Sequence, residues 1–551
     1  MKKISKILST ASVLGIAVVA AACGKSGKTG AQVELQMWTG FGKDYTDQIN
    51  RVVNKYNEDK AGSVHIAHTS QSNYNKLETN ISNSIDGRTF PHFANGYPDH
   101  FAEYCHKGIM IPLDKYIQEY NAKHDTDLMS DFFSQYTTEN ETIRYDRVSR
   151  KGYIMGLPFN KSTEVIVCNG FLADYIQDVD PEITKLPETW QELESIGPKI
   201  VKAMQTKKYN GMALTDAPAK FLIGTVTNGK ASNFRISDAS KKEDVVLGKV
   251  GNLDEKILQD VSQVTASSFR VLGYDSADNA FITMLHQWGS KYTDFSVDIY
   301  FDNNEYGYAT FWDDANKAKT LEGLKFWKDL YDDYLIGLPD DWNLTNFCTD
   351  AFEAGNCLFS TGSSGGLSNS TDANKRIEVK PVLYYKDSSR TSKAVISQGT
   401  SLGLLNQFTS KDKKEAEQQA AFDAMVELCT GERQASWVTA TGYFPASKSA
   451  FNTTTYQNLL NDPNPSALRK MYQSAGQVNR DVYDADKWDK FVDPGFLGSS
   501  AIRSTIKLVL GNVFALKYND PKNPDPAEMN SKISAYMDNL WAKNIDENVK
   551  R

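Results

Sequence analysis

QVELQMWTGFGKDYTDQINRVVNKYNEDKAGSVHIAHTSQSNYNKLETNISNSI, residues 32–85, switches its hydrophobic period from strand to helix and back, and those switches decide the fold. Val33, Leu35 and Met37 alternate with polar residues, which predicts a strand running into Trp38-Thr39-Gly40-Phe41-Gly42. Tyr45, Ile49, Val52, Val53 and Tyr56 then share one face at helical spacing. Val64 and Ile66 predict a second strand, and Tyr74, Leu77, Ile81 and Ile85 a second helix. Strands alternating with helices imply parallel βαβ units and an α/β fold. Ligands of such sheets bind beyond the carboxyl ends of the strands, which points to residues 38–41, 70–74 and 95–99.

Farther along, residues 91–96 predict a strand and turn, and residues 108–113 lead into a helix from Asp114. Gly156-Leu157-Pro158-Phe159-Asn160 breaks the pattern before an apolar strand over 165–168. Thr189 with Glu192 forms a capping box that opens a helix through Ile200. Residues 225–272 are polar, rich in Lys and Asp and poor in aromatics, and read as an insertion. A helix after Tyr274 carries Phe281, Leu285 and Trp288, and another carries Phe326, Leu330 and Tyr334. Residues 355–366 end in a Gly/Ser-rich loop, 395–405 are strand-like, and 416–437 read as strongly helical. The C-terminal quarter is helical with a Pro-rich break at 521–526.

Ahead of the first strand, Lys2, Lys3 and Lys6 precede an uncharged segment that ends in Ala20-Ala21-Ala22-Cys23-Gly24. A basic start, an apolar middle and a small-residue end are the layout of an export signal, here residues 1–22. The apolar run is shorter than the roughly 20 residues a membrane span needs. Ending on Cys23, it resembles the lipobox of bacterial lipoproteins, in which that Cys becomes the new N-terminus and carries the lipid. Residues 23–31 then form a Gly-, Ser- and Lys-rich tether. Gly27-Lys28-Thr29 mimics the end of a phosphate-binding loop, but Ala22 holds the partner-glycine position and no strand precedes it.

The chain has 551 residues and a net charge of −8, which becomes −11 without the three lysines of residues 1–22. That acidity argues against nucleic acid as a partner. Beyond Cys23, the cysteines Cys105, Cys168, Cys348, Cys357 and Cys429 lack disulfide-framework or zinc spacing and read as small buried hydrophobes. A single bridge from Cys348 to Cys357 stays open.

The landmarks, in order, are Met37-Trp38-Thr39-Gly40, then Gly156-Leu157-Pro158-Phe159-Asn160-Lys161-Ser162-Thr163-Glu164-Val165, then Leu186-Pro187-Glu188-Thr189-Trp190-Gln191-Glu192-Leu193. Later come Phe352-Glu353-Ala354-Gly355-Asn356, Gly362-Ser363-Ser364-Gly365 and Thr441-Gly442-Tyr443-Phe444-Pro445-Ala446-Ser447-Lys448. Across residues 33–503 this order resembles family 1 extracellular solute-binding proteins, the receptors of bacterial sugar-type ABC importers. The resemblance implies a two-lobed, periplasmic-binding-protein-like fold of class II type, hinge-connected, with an inserted segment in the second lobe. The expected first lobe comprises residues 32–162 and 401–442, and the second 163–400 and 443–551. The crossings would lie near 160–164, 401–403 and 442–445. The implied partners are a small carbohydrate, ABC permease subunits and, through the lipid, the outer face of the cell membrane. No cofactor or metal is implied.

Gly399-Thr400-Ser401-Leu402-Gly403 matches the G-x-S-x-G nucleophile elbow, but the last His in the chain is His286, upstream of that Ser. The seven His show no H-E-x-x-H or Cys/His ligand spacing, and nothing singles out a glycosidase carboxylate pair. Sugars need aromatic faces for C–H surfaces and planar polar groups for hydroxyls. Trp38, Phe41, Tyr74, Tyr97 and Tyr443 are the aromatic candidates for that role, and Asp99 stands beside Tyr97. Trp38 and Tyr443 are expected to stack on the ligand. From the resemblance come Asn160 and Ser162 at the first crossing, Gly362 and Ser363 in the small-residue loop, and Thr400 at the second crossing. Ser276 and Asn279 begin a helix whose N–H groups could meet an anionic or hydroxyl oxygen; Trp312 and Arg503 complete the set. Residues 70–74 and 159–163 also resemble the glycerol-3-phosphate-binding branch, with the Gly/Ser loop and Arg503 available to a phosphate. The ligand therefore stays open between a carbohydrate and a glycerol-phosphate compound. A surface glycoside hydrolase and an adhesin without a small ligand are the competing classes.

Overall fold

The computed structural model describes residues 33–206 and 269–551, apart from Asn346, 354–355, 371–376 and 484–486; between 207 and 268 it describes only short strands. The export signal, Cys23 and the tether lie outside the described residues.

One sheet runs through the molecule. Its strands are β1 (Val33–Thr39), β2 (Val64–Ser70), β3 (Phe93–Gly96), β4 (Leu157–Asn169), β5 (Arg270–Tyr274), β6 (Ile336–Gly337), β7 (Cys357–Ser363), β8 (Ile377–Lys380), β9 (Ala394–Leu404) and β10 (Asp489–Phe491). Their order is β6-β5-β7-β4-β9-β3-β1-β2, with β8 beside β4 and β10 beside β9. In the first lobe β2, β1 and β3 are parallel, as the βαβ pattern requires. In the second lobe β6, β5 and β7 are parallel.

Two long strands join the lobes. β4 pairs antiparallel with β9 along its first half and with β7 along its second. Every residue of β4 is buried, because it is covered on both faces at the crossing. The expected strand over 165–168 is therefore only the second half of β4, which starts at Leu157 and includes Pro158 opposite Ser401. Phe444 N–H donates to Lys161 C=O at 2.6 Å, which ties a third segment to the crossing.

Helices cover both faces of the sheet. Helix α1 (Lys43–Asp59) buries Ile49, Val52, Val53 and Tyr56 against β1. Helix α2 (Tyr74–Asn83) buries Leu77 and Ile81 on the opposite face, beside α3 (Pro98–His106). The second-lobe core gathers Phe281, Leu285 and Trp288 of α4 (Ala277–Trp288) with Trp190 and Trp327. The helical stretch expected over 416–437 is two helices, α5 (Lys414–Cys429) and α6 (Gly431–Thr441), because Gly431 turns the chain with φ of +56°.

The insertion expected over 225–272 is described only in part. Leu222–Thr227, Lys230–Asp238 and Glu243–Val246 form a small antiparallel sheet, and the remainder up to 268 lies outside the described residues. Its last residues belong to the main sheet, where β5 is wholly buried. The segment after 443 also differs from the expected lobe boundary. Phe444, Tyr456, Leu460, Met471, Tyr483 and Trp488 are buried in the core that contains α1, α5 and α6. Side chains from Phe491 onward join the second-lobe core.

Candidate functional site

A cavity of about 830 Å³ lies where the carboxyl ends of β3 and β5 face each other across the crossing. From the first lobe it is lined by Tyr74, Tyr97, Asp99 and Glu139, and from the second by Asp275, Ser276, Asp278, Asn279, Tyr292 and Arg503. Gly399, on β9, forms part of its floor.

The local sequence sets these positions. β3 ends at Gly96, and Pro98 starts α3 at once, so Tyr97 and Asp99 are held at a strand-to-helix turn. Asn73 accepts from Lys76 N–H at 2.9 Å and starts α2, which sets Tyr74 on its first turn. Tyr74 and Tyr97 meet edge to face, with centroids 5.0 Å apart. Burial pushes the Tyr74 phenol up to about 12, so it is a neutral donor. In the second lobe β5 delivers Asp275 and Ser276, and α4 follows with Asp278 and Asn279 in its first turn.

Polar networks support the floor. Gly40 N–H donates to Asn95 Oδ1 (3.0 Å), Asn95 Nδ2 to Thr400 Oγ1 (3.1 Å), and Thr400 Oγ1 to Asn160 Oδ1 (2.5 Å). Asn160 Nδ2 is buried without an ordinary hydrogen bond. Lys161, fully buried, donates to Glu139 and to Gly399 C=O (3.1 Å). Glu164 on β4 accepts from the Tyr274 hydroxyl (2.5 Å) and from Asn279 Nδ2 (3.0 Å). Burial pushes the Glu164 carboxyl up to about 7 against those two bonds.

Arg503 is the centre of the second-lobe wall. Its Nε donates to Asp278 (2.8 Å), one terminal nitrogen to Asp493 (2.7 Å) and the other to Asn279. Burial pushes the Asp278 carboxyl up, but Arg503 and the Ser276 hydroxyl outweigh it and hold the group below its ordinary value. Asp278 thus places a carboxylate on the first turn of α4, at the helix start expected to receive a ligand oxygen. Burial pushes Asp275 up to about 7, opposed mainly by the Cys348 N–H at 2.7 Å.

Of the expected site residues, the structure brings Tyr74, Tyr97, Asp99, Ser276, Asn279 and Arg503 to the cavity. Asn160 and Thr400 lie beneath it in the buried network. Ser162 and Ser363 bond each other at 3.2 Å. Gly362 makes room for the acid behind it, since a Cβ there would meet Asp275 Oδ2 at 2.3 Å. Tyr443 stacks on Trp437 (5.9 Å, 19°) at the crossing and does not line the cavity.

Three expected residues lie elsewhere. Trp38 points to the face of β1 opposite Met37 and packs among the side chains between α2 and α3. Phe41, 2% exposed, packs against Trp437 at 4.9 Å. Trp312, 3% exposed, is second-lobe core, and its Nε1 donates to Asp538. Sequence reasoning missed Glu139, Asp275, Asp278, Tyr292 and Asp493. Asp275 and Asp278 carried a signal, since they flank Ser276 between a strand and a helix; the others carried none.

Ser401 lies mid-strand, paired on both sides, and its Oγ accepts from Asn140 Nδ2 at 3.0 Å. It is 2% exposed and sits on no elbow. Cys105, Cys168, Cys348, Cys357 and Cys429 are unbridged thiols. Among the described residues no His/Cys/Asp/Glu group is arranged to hold a metal ion, and no helix is long and apolar enough to cross a membrane.

A model of the bacterial extracellular solute-binding protein family matches residues 51–464. Among the solved structures similar in fold to the chain are the following three. One is the GacH receptor of Streptomyces glaucescens, solved unliganded and with acarbose (TM-score 0.56, 14% identity, 93% of this chain and 99% of that one). Another is UgpB of Mycobacterium tuberculosis in complex with glycerophosphocholine (TM-score 0.58, 13% identity, 93% and 99%). The third is an ABC substrate-binding protein of Listeria monocytogenes in complex with cycloalternan (TM-score 0.56, 15% identity, 92% and 99%). An uncharacterized lipoprotein of Mycoplasma pneumoniae is 25% identical over 240 residues, 42% of this chain. The chain spans 29% of the length of that relative.

Proposed function

We propose the following function for the chain, which belongs to the bacterial extracellular solute-binding protein family: it is the capture subunit of an ABC import system and takes a carbohydrate between its two lobes. The observation that carries this reading is the cavity at the crossing, walled by both lobes and lined by tyrosines, carboxylates and amide groups. Tyr74 and Tyr97 supply apolar ring surface, while Asn279, Ser276 and the carboxylates supply hydroxyl partners. β4 and β9 are the hinge strands, and lobe closure would exclude water from the cavity. The bound solute is then passed to permease subunits at the membrane. Arg503 is already committed to Asp278, Asp493 and Asn279, which weighs against the glycerol-phosphate alternative.

Calorimetric titration with a panel of mono- and oligosaccharides and glycerophosphodiesters tests the reading. Saturable binding of a saccharide without turnover supports it. Product appearing during incubation with the tightest binder would establish a hydrolase instead. Binding only to wall or host polymers would make the protein an adhesin.

The chain is anchored at the extracytoplasmic face of the membrane through a lipid on Cys23. The lipobox-like residues 20–24 and the lipoprotein relative support this. Cys23→Ala should release the protein into the medium or leave it unprocessed. Membrane retention of a cleaved Cys23→Ala chain would contradict it.

A further inference from the structure

The cavity wall holds seven carboxylates but only two permanent cations, Arg503 and Lys507. The pairings on the wall account for only part of that excess. Glu139 is neutralised from behind by Lys161, and Asp341 lies 3.4 Å from Arg270. Arg503 alone serves Asp278 and Asp493, so one positive charge is shared between two negative ones. Asp99 adds a third carboxylate within its electrostatic reach. Asp275 has hydrogen bonds but no ion-pair partner among the described residues, and Asp340 likewise has none. Lys507 is solvent-exposed and in no described ion pair.

We infer that the solute captured here carries a cationic group, an amine or ammonium borne on a polyhydroxylated frame. The inference rests on the carbohydrate-receptor reading above and specifies its ligand. Asp99 reaches the cavity from one lobe and Asp275 from the other, so a cation between them is attracted from both sides when the lobes close. Tyr74, Tyr97 and Tyr292 line the same space, and aromatic faces bind ammonium groups through the ring quadrupole. A phosphate or carboxylate would meet the opposite field, and the one guanidinium that could receive it is occupied. Burial has already raised Asp275 toward neutrality, the response of a carboxyl lacking a counter-charge.

The test uses matched triplets that share one frame, namely a neutral sugar, its amino counterpart and its phosphate ester. Gluco, manno and galacto frames are taken as monomers and short oligomers, and binding is read by calorimetry at low and physiological salt. Within whichever frame binds, the amino member should bind at least tenfold tighter than the neutral one, its advantage should shrink with added salt, and the phosphate ester should be weakest. Equal or tighter binding of the neutral or phosphorylated member overturns the inference. No binding by any member overturns the carbohydrate reading itself. Asp275→Asn and, separately, Asp99→Asn should each lower the amino-sugar affinity severalfold more than they lower the neutral affinity. Equal losses for both ligands in both variants would also overturn the inference.

Discussion

Tyr97 and Trp38 are both aromatic residues at strand ends, yet they answer to different physics. Tyr97 lines the cavity, so Tyr97→Ala should weaken saccharide binding about tenfold or more, the scale of one lost buried partner. The melting temperature of the empty protein should barely move. Trp38 packs between α2 and α3, so Trp38→Ala should cost about 2 kcal/mol of stability, with little change in affinity. Melting curves and titrations on both variants separate the two roles. Glu164 gives the pH dependence. Its carboxyl sits near 7 in the folded protein, above its ordinary 4.5, so the folded state holds the proton more tightly than the unfolded one. Stability from this group is therefore fully present below about 4.5 and is lost as pH rises through about 7. Between pH 5 and 8 the loss should be about 2.5 kcal/mol, seen as a falling melting temperature. Glu164→Gln should flatten that fall. An unchanged slope would assign it to other groups, such as Asp275, which is shifted in the same direction.

At the scale of the element, β9 is where geometry is least forgiving. Gly399 has φ of +101° in that strand, and a Cβ there would meet Asn160 C=O at 1.9 Å. The register of β9 on β4 shifts at the next residue, a bulge that turns Thr400 toward Asn160. Gly399→Ala should cost about 2 kcal/mol or more by chemical denaturation and weaken binding, because the bulge shapes the cavity floor. Retained stability and affinity would show that the floor tolerates a regular strand. The elements were legible where periodicity was strong. The α1 face, the α2 face and the capped helix at Thr189 follow from spacing alone, and Glu192 N–H does donate to Thr189 Oγ1, at 3.1 Å. β4 was legible only in its apolar half, because polar Asn160, Lys161, Ser162 and Thr163 are buried by partners from distant segments. β5 was missed because its short apolar run, with Val271 and Leu272, adjoins a long polar stretch.

The whole molecule adds a seam between the lobes. Arg150 pairs with Asp298, and His106 lies 3.5 Å from Glu305. Tyr145 packs against Tyr300 at 5.2 Å. At the cavity mouth Gly495 lies so close to α3 that a Cβ would meet the Pro98 carbonyl at 2.3 Å. Gly495→Leu should wedge the lobes apart. The radius of gyration from small-angle scattering should rise in the presence of ligand, and affinity should fall about tenfold, with little change in melting temperature. An unaltered affinity would show that closure does not need this contact. The exposed ion pairs should contribute much less, about 1 kcal/mol at most.

By itself the sequence determined the layered α/β architecture, the export-signal pattern, the family order of landmarks and the acidity of the chain. These are local or additive properties, set by hydrophobic period, turn chemistry and composition. The tertiary structure alone decided which face of β1 Trp38 occupies, that Tyr443 packs at the crossing, and that Arg503 is held by Asp278, Asp493 and Asn279. It also brought Asp99 and Asp275 to one cavity from positions far apart in the chain. The physical reason is that a strand's period assigns side chains to alternating faces without saying which face meets the ligand. The field in a cleft, in turn, depends on which distant charges closure brings together.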